Sequence, residues 1–371
     1  MNFDFSDEQK QLKNEARRFL QRECGPERVR AILDHPEKAY DKELWTAAAA
    51  QGWLGAAIPE QHGGLGLGRL ELCALAEELG RALAPIPFGS TIYFLAEAIL
   101  LAGSETQRAK YLPKIAAGEL IGALASSEGP GEPTVASLQA SVVGGKLTGA
   151  KLPVTDGDIA NLAVVLAKEN GQPGLFLVHL EGPGVSRKSL QTLDPSRDVA
   201  QLTFAGAAAE PLGGAGEGFE LLQQILDRAA VLFAFEQVGG ADRCLEMSKD
   251  YALSRYAFGR PIGSYQAIKH KLADMFIKNE LARSNAYYGA WALNAGAPEL
   301  PTAAAAARVA ACDAYWYASK ENIQTHGGIG FTWEVDCQLY YRRCRQLALV
   351  AGAPRAWKER LVSQLERRNV A

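Results

Sequence analysis

Five stretches of the chain set groups capable of chemistry close together. Phe233-Ala234-Phe235-Glu236-Gln237-Val238 places one carboxylate inside an apolar run. Burial raises the pKa of such a group toward neutrality, where a general base works best. Ser254-Arg255-Tyr256-Ala257-Phe258-Gly259-Arg260-Pro261 pairs an aromatic ring with a guanidinium able to hold a phosphate bidentately. Ser127-Glu128-Gly129-Pro130-Gly131-Glu132-Pro133 is a loop whose glycines permit close approach of backbone to a ligand, although each proline removes one donor. Thr155, in Lys151-Leu152-Pro153-Val154-Thr155, offers a hydroxyl that both donates and accepts. Gln324-Thr325-His326-Gly327-Gly328 ends on paired glycines where a chain can bend. Each stretch also has a plain structural explanation: a Glu hydrogen-bonded at a helix–helix contact, a solvated Arg with a core Phe at a helix end, a turn, a strand Thr and a helix C-cap. From spacing alone the plain explanation is the better one for Arg255 with Phe258 and for Thr155.

Composition narrows the classes. The 371 residues carry a formal net charge of -3 and are 48% hydrophobic, without the basic surplus of a nucleic-acid binder. No apolar run approaches the roughly 20 residues of a membrane span, and the N-terminus lacks the basic-then-apolar order of a signal peptide. Cys24, Cys73, Cys244, Cys312, Cys337 and Cys344 are scattered, with no C-x-x-C pair and no His at zinc spacing. The expectation is a cytoplasmic protein with reduced thiols, no metal centre, no membrane anchor and no nucleic-acid partner.

The elements that must position these groups fall into three parts, giving an α+β class. Residues 1–120 read as helices, opened by a capping box at Ser6 and Gln9 and stopped by Gly25-Pro26. Further helices are expected over 42–51, 70–83, 92–102 and 105–117. Residues 121–215 read as a β domain, with a Gly144-Gly145 hairpin and a strand pair at 162–167 and 175–180 flanking Asn170–Gly174. Residues 216–371 return to helices near 221–255, 265–295, 302–324, 335–349 and 354–366, long enough to pack as a bundle or an oligomer interface.

This order, with Gly52-Trp53-Leu54-Gly55, Ile58-Pro59-Glu60-Gln61-His62-Gly63-Gly64-Leu65-Gly66, Ser254–Ile262 followed by Gln266-Ala267-Ile268, and Gln324–Phe331, resembles the acyl-CoA dehydrogenase family over the whole length. The resemblance implies an N-terminal helical domain, a middle β-barrel or sandwich and a C-terminal four-helix bundle. It implies FAD as cofactor, an acyl-CoA substrate, electron-transfer flavoprotein as acceptor and a tetramer. A base takes a proton from Cα while hydride leaves Cβ for the flavin. It also implies that Ser127 and Thr155 line the flavin cradle, Thr155 near flavin N5. Arg255, Phe258, Gln266, Gln324 and Gly328 would clamp the adenosine diphosphate part across a subunit interface, while His326 inside that clamp reads as a packing residue. The sequence departs from the family at the stacking Trp, which is Pro153, and at the Ser of the cradle loop, which is Pro133.

It departs most at the base. The family's usual Glu falls on Ala351, the flavin-contacting Thr and Gln that follow become Ala353 and Arg355, and the position used by a smaller group of relatives is Ala229. Glu236, two turns beyond Ala229, is the carboxylate candidate, and Glu334 is a weaker one. Three readings follow: a dehydrogenase for a bulky or branched acyl-CoA, a non-catalytic subunit of a heteromeric dehydrogenase, or a flavin monooxygenase or nitroalkane oxidase on the same fold.

Overall fold

The computed structural model of the chain describes residues 5–370, so Met1–Asp4, part of the stretch read above for a signal peptide, lie outside the described residues. In chain order the helices are α1 (Asp7–Glu23), α2 (Pro26–Asp34), α3 (Lys42–Ala50), α4 (Arg69–Arg81), α5 (Glu97–Ala102) and α6 (Glu105–Ala116). After the sheet come α7 (Gly218–Ser254), α8 (Gln266–Ala295), α9 (Leu300–His326), α10 (Cys337–Leu349) and α11 (Pro354–Val370). Contacts divide the chain into a helical unit (Met1–Val29, Arg69–Ala84, Ala230–Ala371) and a sheet-bearing unit (Arg30–Gly68, Pro85–Ala229). Among the described residues no helix is long and apolar enough to cross a membrane.

Local chemistry starts the helices. Ser6 and Gln9 form the expected capping box of α1, Ser104 and Gln107 build a second at α6, and Asp41 accepts from Leu44 N at the start of α3. Gly25-Pro26 does stop α1, but Pro26 also opens α2, a helix absent from the sequence expectation. Proline suits the first helical turn, where its missing N–H would be unsatisfied anyway.

In the helical unit α9 packs on α8, α10 and α11. Its buried Ala303, Ala304, Ala307, Ala311, Ala314 and Ala318 keep those approaches close. Tighter still is the crossing of α4 and α7. A Cβ on Gly80 would lie 1.9 Å from the Glu236 carbonyl oxygen, and one on Gly239 would lie 1.9 Å from that of Glu77. The two helices therefore touch backbone to backbone, which glycine alone permits.

The sheet-bearing unit holds β1 (Gly122–Ala125), β2 (Ser141–Val143), β3 (Lys146–Thr155), β4 (Leu162–Glu169), β5 (Gln172–His179), β6 (Val185–Ser189), β7 (Val199–Ala208) and β8 (Glu210–Leu212). They form one mixed sheet in the order β6-β7-β3-β2-β4-β5-β8, with β1 parallel to β4. The Gly144-Gly145 turn is as expected, with φ 55° and 73°. The β4–β5 turn is tighter than the sequence suggests: Asn170 and Gly171 make it alone, while Pro173 and Gly174 already lie in β5. The helix expected over 92–102 is present, but it begins as a π-helical segment at Gly89–Ala96 that leads into α5.

The α4–α7 crossing carries a prediction. Gly239→Ala brings a methyl against the Glu77 carbonyl and, at 3.1 Å, the Arg81 amide, so overpacking should cost about 1–3 kcal/mol in urea denaturation. A variant as stable as the parent would mean that the backbones do not meet there.

Candidate functional site

Within the sheet-bearing unit the structure ties the Ser127 loop to β3, the strand that ends on Thr155. Leu152 N donates to Ser127 O at 3.0 Å, which ties the loop after β1 alongside the last residues of β3. Ser127 Oγ donates to Gly129 O at 2.8 Å and holds the first bend of that loop. Gly129 (φ 147°) and Gly131 (φ 95°) follow, and a Cβ on either would meet nothing within 4 Å. Where Lys151 pairs with Leu202 and Val154 with Ala200, β3 carries one residue more than β7. Such a bulge frees Leu152 and Pro153 from strict alternation and tolerates the missing proline N–H. Pro153 is exposed, and Leu152 and Thr155 are half-buried.

Charged groups that sequence reasoning passed over hold this strand from behind. Lys151 is fully buried and reaches Glu128 Oε1 at 2.8 Å. Asp156, directly after Thr155, accepts from Ser90 Oγ at 2.6 Å and from Arg197 at 2.9 Å. Asp156 N donates to Asp198 O, and Asp158 N to Asp198 Oδ2, both at 2.8 Å. Burial, then the nearby Asp156 charge, raise the Asp198 carboxyl from 3.8 to about 7. A signal for Lys151 was present: counting by twos from the buried Leu147 along β3 lands on it, a lysine in the inward phase.

In the helical unit a second group forms where the end of α7, the start of α8 and the end of α9 meet. Tyr251 of α7 stacks on His326 of α9 with centroids 4.2 Å apart, and Lys271 of α8 pairs with Glu321 of α9 at 2.8 Å. Exposed Arg255 follows α7 directly, exposed Gln266 opens α8, and exposed Gln324 lies in the last turn of α9. Between α7 and α8 a small hairpin of β9 (Tyr256–Ala257) and β10 (Arg260–Pro261) holds Phe258 at its tip, at φ 52°. Phe258 is 97% exposed, which removes the reading of it as a core residue. The bend after α9 falls on Gly327 (φ 66°) rather than Gly328, which is exposed with open space where a side chain would be. His326 Nδ1 donates to the Asn322 carbonyl oxygen at 2.9 Å, and burial lowers the imidazole's pKa, as suits a packing residue.

The remaining candidates stand apart. Glu236 is 4% exposed, on the α7 turn that crosses α4. By helical rise it lies about 27 Å along α7 from Ser254, so it does not join the Arg255 group. Glu334 is exposed and its amide donates to Thr332 Oγ1. Ala229 and Ala351 are both buried and bring only methyl groups to the two positions compared with the family's base.

Comparison with known proteins accounts for the fold. The family model of the acyl-CoA dehydrogenase N-terminal domain matches residues 6–119, and that of the C-terminal domain matches residues 216–361. The chain belongs to the acyl-CoA dehydrogenase family, whose members are flavin-dependent oxidoreductases acting on acyl-CoA thioesters. It is 35% identical to the acyl-CoA dehydrogenase IpdE2 of Mycobacterium tuberculosis over 360 residues, 97% of this chain and 98% of that protein. It is similar to the solved Tcur3481-Tcur3483 steroid ACAD, at a TM-score of 0.89 and 30% identity over 98% of this chain and 99% of the other. It also resembles the ChsE4-ChsE5 complex of Mycobacterium tuberculosis, at a TM-score of 0.89 and 27% identity over 99% of each chain.

Asp198 gives a pH test of the strand's support. Its folded pKa, about 7, exceeds the unfolded 3.8. Stability from the retained proton is therefore complete below about pH 4 and is lost as pH rises through 7. Asp198→Asn keeps an acceptor for Asp158 N and never ionises. Its melting temperature should gain on the parent's steadily between pH 4.5 and 8, whereas a gap that ignores pH would place the titration elsewhere.

Proposed function

We propose that the chain performs FAD-dependent α,β-dehydrogenation of an acyl-CoA and passes the electrons to an electron-transfer flavoprotein. The observation that carries this reading is the joining of the Ser127–Pro133 loop to the strand bearing Thr155. It ties the open glycine loop to the strand that carries the Thr155 hydroxyl three residues further on, and a planar ring system could use both. The second group supports it: Arg255 offers a fork for a diphosphate, and Phe258 offers a bare ring for a base. These residues fit a flavin dinucleotide, with Gln266, Gln324 and Gly328 completing the diphosphate side. As the family resemblance implies, the reading includes an oligomer in which neighbouring copies share each dinucleotide. A bound flavin supplies the acceptor for hydride leaving Cβ. The chain's own task is to hold the thioester and take the Cα proton, and Glu236 is the carboxylate assigned to that task. Ala229, Ala351 and Pro153, small where relatives carry Glu, Glu and Trp, favour a bulky acyl group, and the steroid enzyme among the relatives agrees.

A second reading rests on Ala229 and Ala351. If a partner dehydrogenase subunit brings the base, this chain brings the Arg255 and Gln324 clamp. That one relative was solved as a two-chain complex supports this alternative.

Two substitutions separate the parts. Arg255→Ala removes a charge-assisted phosphate contact of about 1.5–3 kcal/mol, so flavin should be lost on dialysis while the fold persists; parental retention would remove Arg255 from the site. Glu236→Gln keeps shape and takes away the proton acceptor. Flavin reduction by a substrate acyl-CoA should slow by about 10²- to 10⁴-fold with flavin content unchanged. A parental rate would transfer the base to another chain and make the partner reading the better one.

A further inference from the structure

We propose that Lys151 and Glu128 form a positioning pair that locks the 127–133 loop to the strand bearing Thr155, so that two walls of the flavin site are held as one body. The inference rests on the reading of that edge as the flavin site.

Lys151 is the starting point. Its side chain is wholly buried within the sheet-bearing unit, where an ammonium without partners costs several kcal/mol. Its Nζ donates to Glu128 Oε1 at 2.8 Å and to Ser126 O at 3.3 Å. Glu128 is bound from three directions: besides Lys151, the amides of Gln139 and Ala140 donate to its carboxylate at 2.7 and 2.9 Å. Burial alone would raise the Glu128 pKa, but the hydrogen bonds from Lys151, Ala140 and Gln139 outweigh it and hold the group below its ordinary value. Burial draws Lys151 down, against the pull of Glu128. One ion pair thus joins the segment after β1, the approach to β2 and the middle of β3.

The placement matters more than the strength. Glu128 immediately precedes Gly129, Pro130 and Gly131, a stretch with few backbone hydrogen bonds of its own. Lys151 immediately precedes the bulge at Leu152 and Pro153 and stands four residues before Thr155. The backbone bond from Leu152 N to Ser127 O runs alongside the pair. Two apolar residues of similar volume would stabilise a sheet at least as well as a buried ion pair. What the pair adds is direction: a fixed separation between an open loop and a strand that would otherwise drift apart at the bulge. Neither residue reaches the reacting atoms, so their effect is exerted through the loop and Thr155.

The test is FAD titration of the apoprotein, with the visible band of the bound flavin recorded, for the parent, Lys151→Met, Glu128→Gln, the double variant and Thr155→Ala. Lys151→Met and Glu128→Gln should each weaken FAD binding by about tenfold or more and alter the band. The double variant should bind no more weakly than the worse single, because one interaction is being removed twice. Far-UV circular dichroism reports folding. If Lys151→Met fails to fold, Glu128→Gln, isosteric and half-buried, decides the outcome. If Thr155→Ala alters the band while both pair variants bind FAD with parental affinity and spectrum, the pair only holds the sheet and the inference is wrong. If Thr155→Ala itself leaves affinity and band at the parental values, the flavin reading of this edge falls and takes the inference with it.

Discussion

In the helical unit everything turns on how closely α4 and α7 approach. With glycine on each side, Gly80 against the Glu236 carbonyl and Gly239 against that of Glu77, no side chain separates the two backbones. That closeness sets Glu77 and Asp242, one on each helix, within reach of a single guanidinium. Arg283 of α8 binds both, at 2.6 Å to Glu77 and closely to Asp242. Lys13 of α1 adds a second cation on Glu77 at 2.6 Å, and Arg17 holds Glu78 through two bonds of 2.8 Å. The cations outweigh burial and keep Glu77 below the usual carboxylate pKa. Four helices are thus tied by ion pairs whose geometry follows from a contact made of hydrogen atoms. Widening the crossing by one methyl would leave buried carboxylates with stretched partners, a larger loss than the methyl's own volume.

The sheet-bearing unit solves its problem the other way, with charge inside. Lys151, Asp156 and Arg197 are all buried, and each has an opposite charge within 3 Å. These pairs sit along one short stretch, from Lys151 of β3 to Asp156 just past its end, while β4 beside the centre of the sheet is buried apolar side chains from Leu162 to Ala167. Polar investment is therefore concentrated where the strand bulges and where its regular hydrogen bonding lapses.

How much of this could be read in the sequence depends on distance along the chain. The capping box at Ser6 and the glycine hairpin at Gly144 were legible because every atom involved lies within a few residues. The burial of Glu236 was legible from its apolar neighbours, but the close approach at Gly239 was not. Pro26 was read only as a stop because the same residue ends one helix and begins another. A helix was legible over 92–102, but not its start at Gly89 or its π character, because the sequence reading assumes the 3.6-residue period of an α-helix. Glu128 and Lys151 are 23 residues apart, and no local rule joins them; only the inward phase of Lys151 asked for a partner. That Ser127 and Thr155 belong to the sheet and the Arg255 group to the helices was legible from the change of pattern near residue 216.

The hairpin tip at Phe258 has a thermodynamic consequence for the chain by itself. A bulky residue at φ 52° adopts a conformation costing on the order of 1–2 kcal/mol, which glycine, its neighbour at Gly259, would avoid. With 97% of the ring in water, the folded chain recovers almost none of that cost through its own contacts. Replacing Phe258 by glycine should therefore make the isolated protomer more comfortable, not less. The tip is locally frustrated, and a body that covered the ring would return apolar burial of about 25 cal/mol for each Å² it hid. The conformation of this turn and any covering of its surface would then be coupled, since a body that hid the ring would favour the φ 52° form.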